Sequence, residues 1–191
     1  MKVVIDTSSL LSLVRYYLPF DKQKILFEII KNKIANGEIL VIDKIIDECE
    51  YTSKGIVLET LTFLTDKNFN KTHKLPLNTE FILPPTPAKF YRMVDNNFVV
   101  SVLRKRLSDT QYDSLKNDFM NSADMKMILT SLKLKNENPS EKIYIVTEET
   151  ETSNDGKPFK KIPAICSQLG IPTINIQRLL DKFEGVKLEI K

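Results

Sequence analysis

The chain has 191 residues, 42% of them hydrophobic and 28% charged, which is typical of a globular protein and predicts a single domain over residues 1–191. A net charge of +3 excludes binding of nucleic acid through overall charge, so a basic surface must come from local clusters. One histidine and two isolated cysteines leave a structural zinc site short of ligands, and no apolar run approaches the roughly 20 residues that cross a bilayer. The first residues lack the pattern of a signal peptide, and the cysteines suit a reducing compartment, so we expect a cytoplasmic protein.

Short apolar runs alternate with segments in which apolar residues recur at helical spacing. In chain order this pattern predicts a strand at 3–5, helices at 10–18 and 25–34, a strand at 39–42, helices at 43–49 and 56–64, a helical pair at about 88–107 and 109–135, a strand at 143–146, a helix from 162 to Gly170, a strand at 173–176, a helix near Leu179 and a fifth strand at 186–190. Strands that alternate with helices favour a parallel sheet with helices on its faces.

The stretch at about 66–110 fits this alternation least well and is predicted to be a partly helical insertion. Its first part, 67–87, is polar and rich in proline. We expect this part to cross the surface as an ordered segment, because Phe81, Ile82 and Leu83 provide apolar side chains to bury.

Four acidic residues lie close to the predicted strands or on the helices that connect them. Asp6 ends the first strand, Glu48 lies on the helix after the second, Asp124 lies inside the long helix at 109–135, and Glu149 comes just after the third strand. Ligands of open parallel sheets collect beyond the carboxyl ends of the strands, so these carboxylates are expected to converge. Oxygen ligands without nearby His or Cys select Mg²⁺ or Mn²⁺, and such a site suits phosphodiester hydrolysis.

Each acid also has an ordinary explanation. Asp6 precedes a helix and is equally typical of a helix cap. Glu48 shares its helix with two other acids, and Glu149 stands beside Glu148 in a charged loop, so the choice between these two glutamates stays open. Taken singly, none of the four identifies a site. Their placement along successive strands and helices favours one.

Four segments together resemble the motifs of PIN domains, a nuclease family named after the N-terminus of a type IV pilus protein. They are Val3–Leu10, Val41–Cys49, Ser122–Met125 and Ile145–Glu149, and each contains one of the four acids. The tail from Lys161 to Ile176 resembles an uncharacterised PIN-like subfamily of prokaryotic proteins.

The resemblance implies a three-layer α/β/α fold with a central parallel sheet of four to five strands. It also implies a Mg²⁺- or Mn²⁺-dependent endoribonuclease whose catalytic and metal-binding acids are Asp6, Glu48, Asp124 and Glu149. Ser8 and Thr147 would support these acids by hydrogen bonding. Many prokaryotic relatives are toxins that an antitoxin protein blocks, and many form dimers. The implied partners are therefore an RNA substrate, an antitoxin and a second copy of the chain.

Two residues depart from the family pattern. The fourth acid, Glu149, stands where most of the family has Asp, and its carboxylate is one methylene further from the backbone. Lys126 makes the helix after Asp124 more polar than the pattern. The charges of all four acids are nevertheless kept.

Basic residues that contact a phosphate backbone would have to come from local clusters. Two clusters are candidate RNA contacts, although charge runs are more often solvated faces: Arg104, Lys105 and Arg106, and then Lys157, Lys160 and Lys161.

The sequence gives little support for other classes of reaction. The single histidine, His73, lies in a polar segment, which argues against a Ser-His-Asp or Cys-His nucleophile. With five glycines in the chain there is no glycine-rich phosphate loop, and Ser8 replaces the second acid of an aspartyl-phosphate enzyme. The remaining alternative is a catalytically silent PIN-like module that binds RNA or protein.

Overall fold

Four parallel strands form the central sheet of the computed structural model, which describes residues 1–151, 156–183 and 186. They are β1 (Lys2–Ile5), β2 (Ile39–Leu40), β3 (Ile143–Val146) and β4 (Thr173–Ile174), in the order β2-β1-β3-β4. Helices flank the sheet, so the predicted three-layer α/β/α fold is confirmed. The fifth strand predicted at 186–190 lies outside the described residues apart from Val186.

The helices connect the strands in the alternation that the sequence predicts. In chain order they are α1 (Thr7–Ser12), α2 (Ile25–Ala35), α3 (Asp43–Tyr51), α4 (Ile56–Thr60), α5 (Lys67–His73), α6 (Pro87–Met93), α7 (Ser101–Arg104), α8 (Asp109–Asn121), α9 (Ala123–Glu137), α10 (Ile162–Leu169) and α11 (Ile176–Leu180). Within the described ranges, no helix has both the length and the apolar surface needed to span a bilayer.

Strand β1 is central in the sheet. Val3, Val4 and Ile5 are buried, as expected for a parallel strand covered on both faces. β1 pairs with β2 on one side and with β3 on the other, where Ile5 stands opposite Val146. The chain therefore leaves β1 toward one edge and later returns on its other side, which makes the gap between β1 and β3 the switch point of the sheet.

The long helix predicted at 109–135 is two helices that meet at Ser122. This residue is extended, with φ −68° and ψ 158°, and its hydroxyl donates to the carbonyl of Phe119 at 2.7 Å and accepts from the amide of Met125 at 3.3 Å. Ser122 thus ends α8 and caps α9. The consequence for the site is that Asp124 lies in the first turn of α9, not inside a helix as predicted.

The predicted insertion also differs from the expectation in several places. It contains α5, which the sequence pattern did not indicate, and the helix predicted at 88–107 is interrupted. The interruption follows from Val99, which leaves the helix to form an antiparallel bridge with Phe159. The expected burial of the 81–83 segment is wrong for two of its three side chains, because Phe81 is 83% and Leu83 is 74% exposed, and only Ile82 packs inward.

Thr79 attaches this insertion to the sheet. Its amide and hydroxyl both donate to the Asp43 carboxylate, at 3.0 and 2.5 Å, and its carbonyl accepts from the buried Lys126 ammonium at 3.0 Å. Just before it, Leu77 forms a parallel bridge with Ile42, next to β2. These bonds lower the pKa of Asp43, although its partial burial acts in the opposite direction. The polar part of the insertion is therefore tied to both α3 and α9.

Replacing Thr79 by Val should therefore destabilise the fold. Val keeps the shape of Thr but leaves the Asp43 carboxylate without its hydroxyl donor, which we expect to lower the free energy of unfolding by about 1–3 kcal/mol. Urea denaturation measures the change. The control is Thr110→Val, the same change at an exposed position of α8. Equal stability of the two variants would contradict the anchoring role of Thr79.

Candidate functional site

The carboxyl ends of β1 and β3 bring the first and last of the four acids together. The Asp6 amide donates to the carbonyl of Val146 at 2.9 Å, so the pairing of β1 with β3 continues to the point where the acids begin. Thr147 and Glu149 follow β3 directly. This is the switch point of the sheet, where open α/β folds bind their ligands.

Asp6 is buried, at 7% exposure, and is held by two hydroxyls. Ser8 and Thr147 both donate to its Oδ2, at 2.5 and 2.9 Å. Asp6 occupies the N-cap position of α1, but its side chain makes no capping hydrogen bond. The helix-cap explanation therefore does not account for this carboxylate. Burial raises the pKa of Asp6, and the Glu149 carboxylate adds to that rise against the two hydroxyl bonds.

Asp124 is the least satisfied acid of the site. Among the described residues its carboxylate has no hydrogen-bond or ion-pair partner, although the side chain is largely buried. Burial is the first cause that raises its pKa to about 7, and the charges of Asp6, Glu149 and Glu48 follow. The N-terminus of α9 favours a negative charge, but this effect is not enough to offset those causes. A largely buried carboxylate that is repelled by three other acids is one whose charge a cation would stabilise.

Glu48 is the acid of α3 that turns toward the site. The Thr7 hydroxyl donates to its Oε2 at 2.7 Å. Burial raises the pKa of Glu48, and the charge of Asp6 adds to this rise. Its neighbour Asp47 instead pairs with Lys44 on the surface, at 3.6 Å. Of these two neighbouring acids, Glu48 is therefore the one directed toward Asp6.

The two glutamates after β3 point to different parts of the structure. Glu148 accepts from the Ser9 hydroxyl at 3.0 Å and from the amide of Ile176 at 2.8 Å, which ties it to the start of α11. Glu149 accepts from the Lys161 ammonium at 2.7 Å and from the amide of Ile162 at 3.3 Å. Only Glu149 contributes to the raised pKa values of Asp6 and Asp124. Of these two glutamates, Glu149 is therefore the one whose charge acts on Asp6 and Asp124.

The carboxylate oxygens of the four acids are the type of ligand that a hard cation binds, although the four side chains do not form a tight cluster. In the part of the chain that the structure describes, no three His, Cys, Asp or Glu side chains are close enough to bind one ion directly. The two glutamates are held by Thr7 and Lys161. Mg²⁺ usually keeps several water ligands and binds through one or two carboxylates, so a loose set of oxygen donors suits it.

The cysteines do not offer an alternative chemistry. Burial raises the pKa of Cys49 and of Cys166 to about 12, and nearby acids act in the same direction. Both thiols therefore stay protonated at neutral pH and cannot serve as nucleophiles.

The segment before the first basic cluster pairs with the segment that carries the second. The bridge between Val99 and Phe159 joins the strand-like segment before α7 to the segment that carries Lys157, Lys160 and Lys161. Lys161 pairs with Glu149, and Arg104 pairs with Asp109 at 2.6 Å. Lys105, Arg106 and Lys157 are exposed.

A polar cavity of about 230 Å³ opens beside the acids, at the ends of β3 and β4. Its lining includes Thr147, Glu149, Asn175 and Arg178. A larger cavity of about 500 Å³ lies between α2 and α5 and contains none of the four acids. Of the four acids, only Glu149 lines the smaller cavity, so neither of these two cavities encloses the acid cluster.

Thr7 is a site residue that the sequence did not reveal, and Lys161, which was predicted as an RNA contact, pairs with Glu149. Thr7 directly follows Asp6, so its position could have drawn attention, but its bond to Glu48 depends on how α1 meets α3. Lys161 lies twelve positions after Glu149, beyond a polar loop, and no sequence pattern relates the two. Only the folded structure brings this pair together.

Replacing Asp124 by Asn should make the metal-free protein more stable at high pH. Folding raises the pKa of this acid from 3.8 to about 7, so its ionisation lowers stability as the pH rises through that window. Without divalent ions, Asp124→Asn should be more stable than the parent by roughly 1–3 kcal/mol at pH 8, and the difference should shrink near pH 4. Urea denaturation in EDTA at both pH values measures it. Asp118→Asn, at an exposed position of α8, is the control, and a less stable Asp124→Asn at pH 8 would contradict the assignment.

Comparison with known families gives one match. The family described as "Domain of unknown function (DUF4411)" matches residues 79–186, which is more than half of the chain. The matched range contains Asp124, Glu149 and Lys161, whereas Asp6 and Glu48 lie before it. No curated protein matches the chain. On the strength of the matched range, the chain belongs to the DUF4411 family.

Proposed function

We propose that this protein is a Mg²⁺- or Mn²⁺-dependent PIN-like nuclease that hydrolyses RNA phosphodiester bonds. The observation that carries the proposal is Asp124, a largely buried carboxylate without a partner among the described residues, surrounded by three further acids. A cluster of this kind at the switch point of a parallel sheet is best explained by a divalent cation. The sequence motifs shared with PIN domains support RNA as the substrate.

The residues of the chain have distinct roles in this proposal. Asp6 and Asp124 supply the oxygen ligands nearest the core, and Ser8 and Thr147 orient Asp6 by donating to one of its oxygens. Thr7 orients Glu48 in the same way. A divalent ion held by these acids would neutralise the phosphate and lower the pKa of an attacking water.

The biological setting follows from the same resemblance and is proposed with it. The chain would act in the cytoplasm as a dimer and as the toxin of a toxin–antitoxin pair, with an antitoxin protein that covers the acids. The resemblance to prokaryotic PIN-like proteins is the support for this setting.

Cleavage of single-stranded RNA in the presence of Mn²⁺ tests the nuclease. The Asp6→Asn variant keeps the size of the side chain but removes one charge of the site, and we expect it to lose at least about 100-fold in rate. EDTA should abolish cleavage by the parent protein. Asp118→Asn, a charge removal on the surface of α8, should cleave like the parent. If Asp6→Asn cleaves as fast as the parent, the proposal is wrong.

A catalytically silent module is the second candidate, and one observation favours it. No three potential ligands among the described residues are within reach of a single ion, and Lys161 already neutralises Glu149. Such a module would bind RNA or a protein partner with an affinity that EDTA does not change, and it would cleave nothing. The cleavage assay and a binding assay with and without EDTA therefore separate the two candidates.

The segment from Lys157 to Lys160 is proposed to contact the RNA backbone. In an Asp6→Asn background, which prevents cleavage, changing Lys157 and Lys160 to Gln should reduce the slope of log K against log salt by about 0.7 for each lost phosphate contact. Filter binding at several salt concentrations gives the slope. Changing Lys67 and Lys71 on α5 to Gln removes the same charge elsewhere and should leave the slope as it was. An equal slope for both double variants would exclude the segment.

A further inference from the structure

A lysine side chain enters the acid cluster. The Lys161 ammonium lies 2.7 Å from Oε1 of Glu149, and the two side chains are only 18% and 22% exposed. Its positive charge also lowers the pKa of Asp124, against the three acids that raise it. Lys161 is therefore a cation placed within the group of carboxylates to which a metal ion has been assigned above.

The same carboxylate is held from a second direction. Oε2 of Glu149 accepts from the amide of Ile162, in the first turn of α10, at 3.3 Å. Lys161 precedes that residue, so one stretch of backbone carries both donors. Because the ion pair and the amide bond use different oxygens, Glu149 is turned toward α10 and is engaged on both sides. With both oxygens engaged in this way, Glu149 offers an ion no free oxygen that is not already hydrogen-bonded or ion-paired.

We propose that Lys161 is a built-in competitor of the divalent cation, which holds Glu149 while the site is empty of metal and yields it when an ion binds. The proposal rests on the proposed function, because it requires that the four acids bind a metal. It assigns to Lys161 a positioning role that differs from that of a phosphate contact: the ammonium sets how tightly the cluster takes an ion.

Two consequences follow from simple electrostatics. Without a metal, Lys161 offsets part of the repulsion among four carboxylates and so stabilises the fold. With a metal, the ammonium and the ion compete for the same negative charge, so binding of either one weakens binding of the other by the same factor. Removing the positive charge should therefore lower the stability of the metal-free protein and raise its affinity for the ion.

Mn²⁺ binding to the full chain, measured by isothermal titration calorimetry without RNA, tests the proposal. We expect Lys161→Gln to bind Mn²⁺ about tenfold more tightly than the parent, a change that corresponds to about 1.4 kcal/mol. In thermal unfolding, the same variant should melt lower than the parent in EDTA and gain more from added Mn²⁺.

Lys33→Gln is the matched control. Lys33 forms an ion pair with Glu38 at the same 2.7 Å, but Glu38 precedes β2 and so lies at the opposite end of the sheet from the acids. Lys33→Gln removes one positive charge and one ion pair, as Lys161→Gln does, and should leave the affinity for Mn²⁺ within about twofold of the parent.

A second pair of variants tests whether Lys161 acts through Glu149. If Lys161 acts through Glu149, the tightening by Lys161→Gln should shrink in a Glu149→Gln background, where there is no carboxylate to release. Undiminished tightening in that background overturns the role assigned to the pair, and so does a Lys161→Gln that binds Mn²⁺ no better than the parent. Absence of Mn²⁺ binding in the parent itself would instead overturn the proposed function.

Discussion

The pairing of β1 with β3 is the constraint on which the rest of the site depends. Four residues of each strand stand opposite one another, and the Asp6 amide continues this pairing to the carbonyl of Val146. Because both strands run in the same direction and end at the same level, the residues that follow them are brought side by side. Asp6 and Thr147 lie far apart in the chain, and this register allows the hydroxyl of one to bond the carboxylate of the other.

The carboxylates of the site repel one another when no cation is bound. Their hydrogen-bond and ion-pair partners differ from one acid to the next. Asp6 accepts from two hydroxyls, Glu48 accepts from one, and Glu149 accepts from an ammonium and an amide. Asp124 receives none of these among the described residues, and its pKa shows the result by rising to about 7. The remaining repulsion therefore acts mainly on Asp124, and the raised pKa of this residue reports it.

Much of this arrangement was accessible from the sequence, because it depends on local patterns. The apolar runs located all four strands, and the run at 143–146 coincides with β3 as the structure has it. The placement of Asp6 and Glu149 just after strands was enough to expect them at one edge of the sheet. The start of α9 was missed because Ser122 interrupts an apolar spacing that continues on both sides, and only its extended backbone separates the two helices.

Other features could not be predicted, because they depend on contacts between distant segments. Glu148 and Glu149 are directed to different places by the amides at the starts of α11 and α10, and these helices are recognisable in the sequence while their positions are not. The bridge between Val99 and Phe159 likewise interrupts a helix that the local pattern favours. In both cases a hydrogen bond across the fold outweighs local propensity.

The burial of α9 gives the four acids unequal freedom. Most residues from Ala123 to Leu132 are buried, so the first turn of this helix cannot shift without disturbing the core, and Asp6 is similarly fixed by β1. The glutamates, by contrast, have one more rotatable bond each and extend from less buried positions. In the proposed metal centre the aspartates would define where an ion sits, while the glutamates would adapt to its radius. Such a centre would tolerate exchange of one divalent ion for another of slightly different size more readily than a rigid cage of four short side chains.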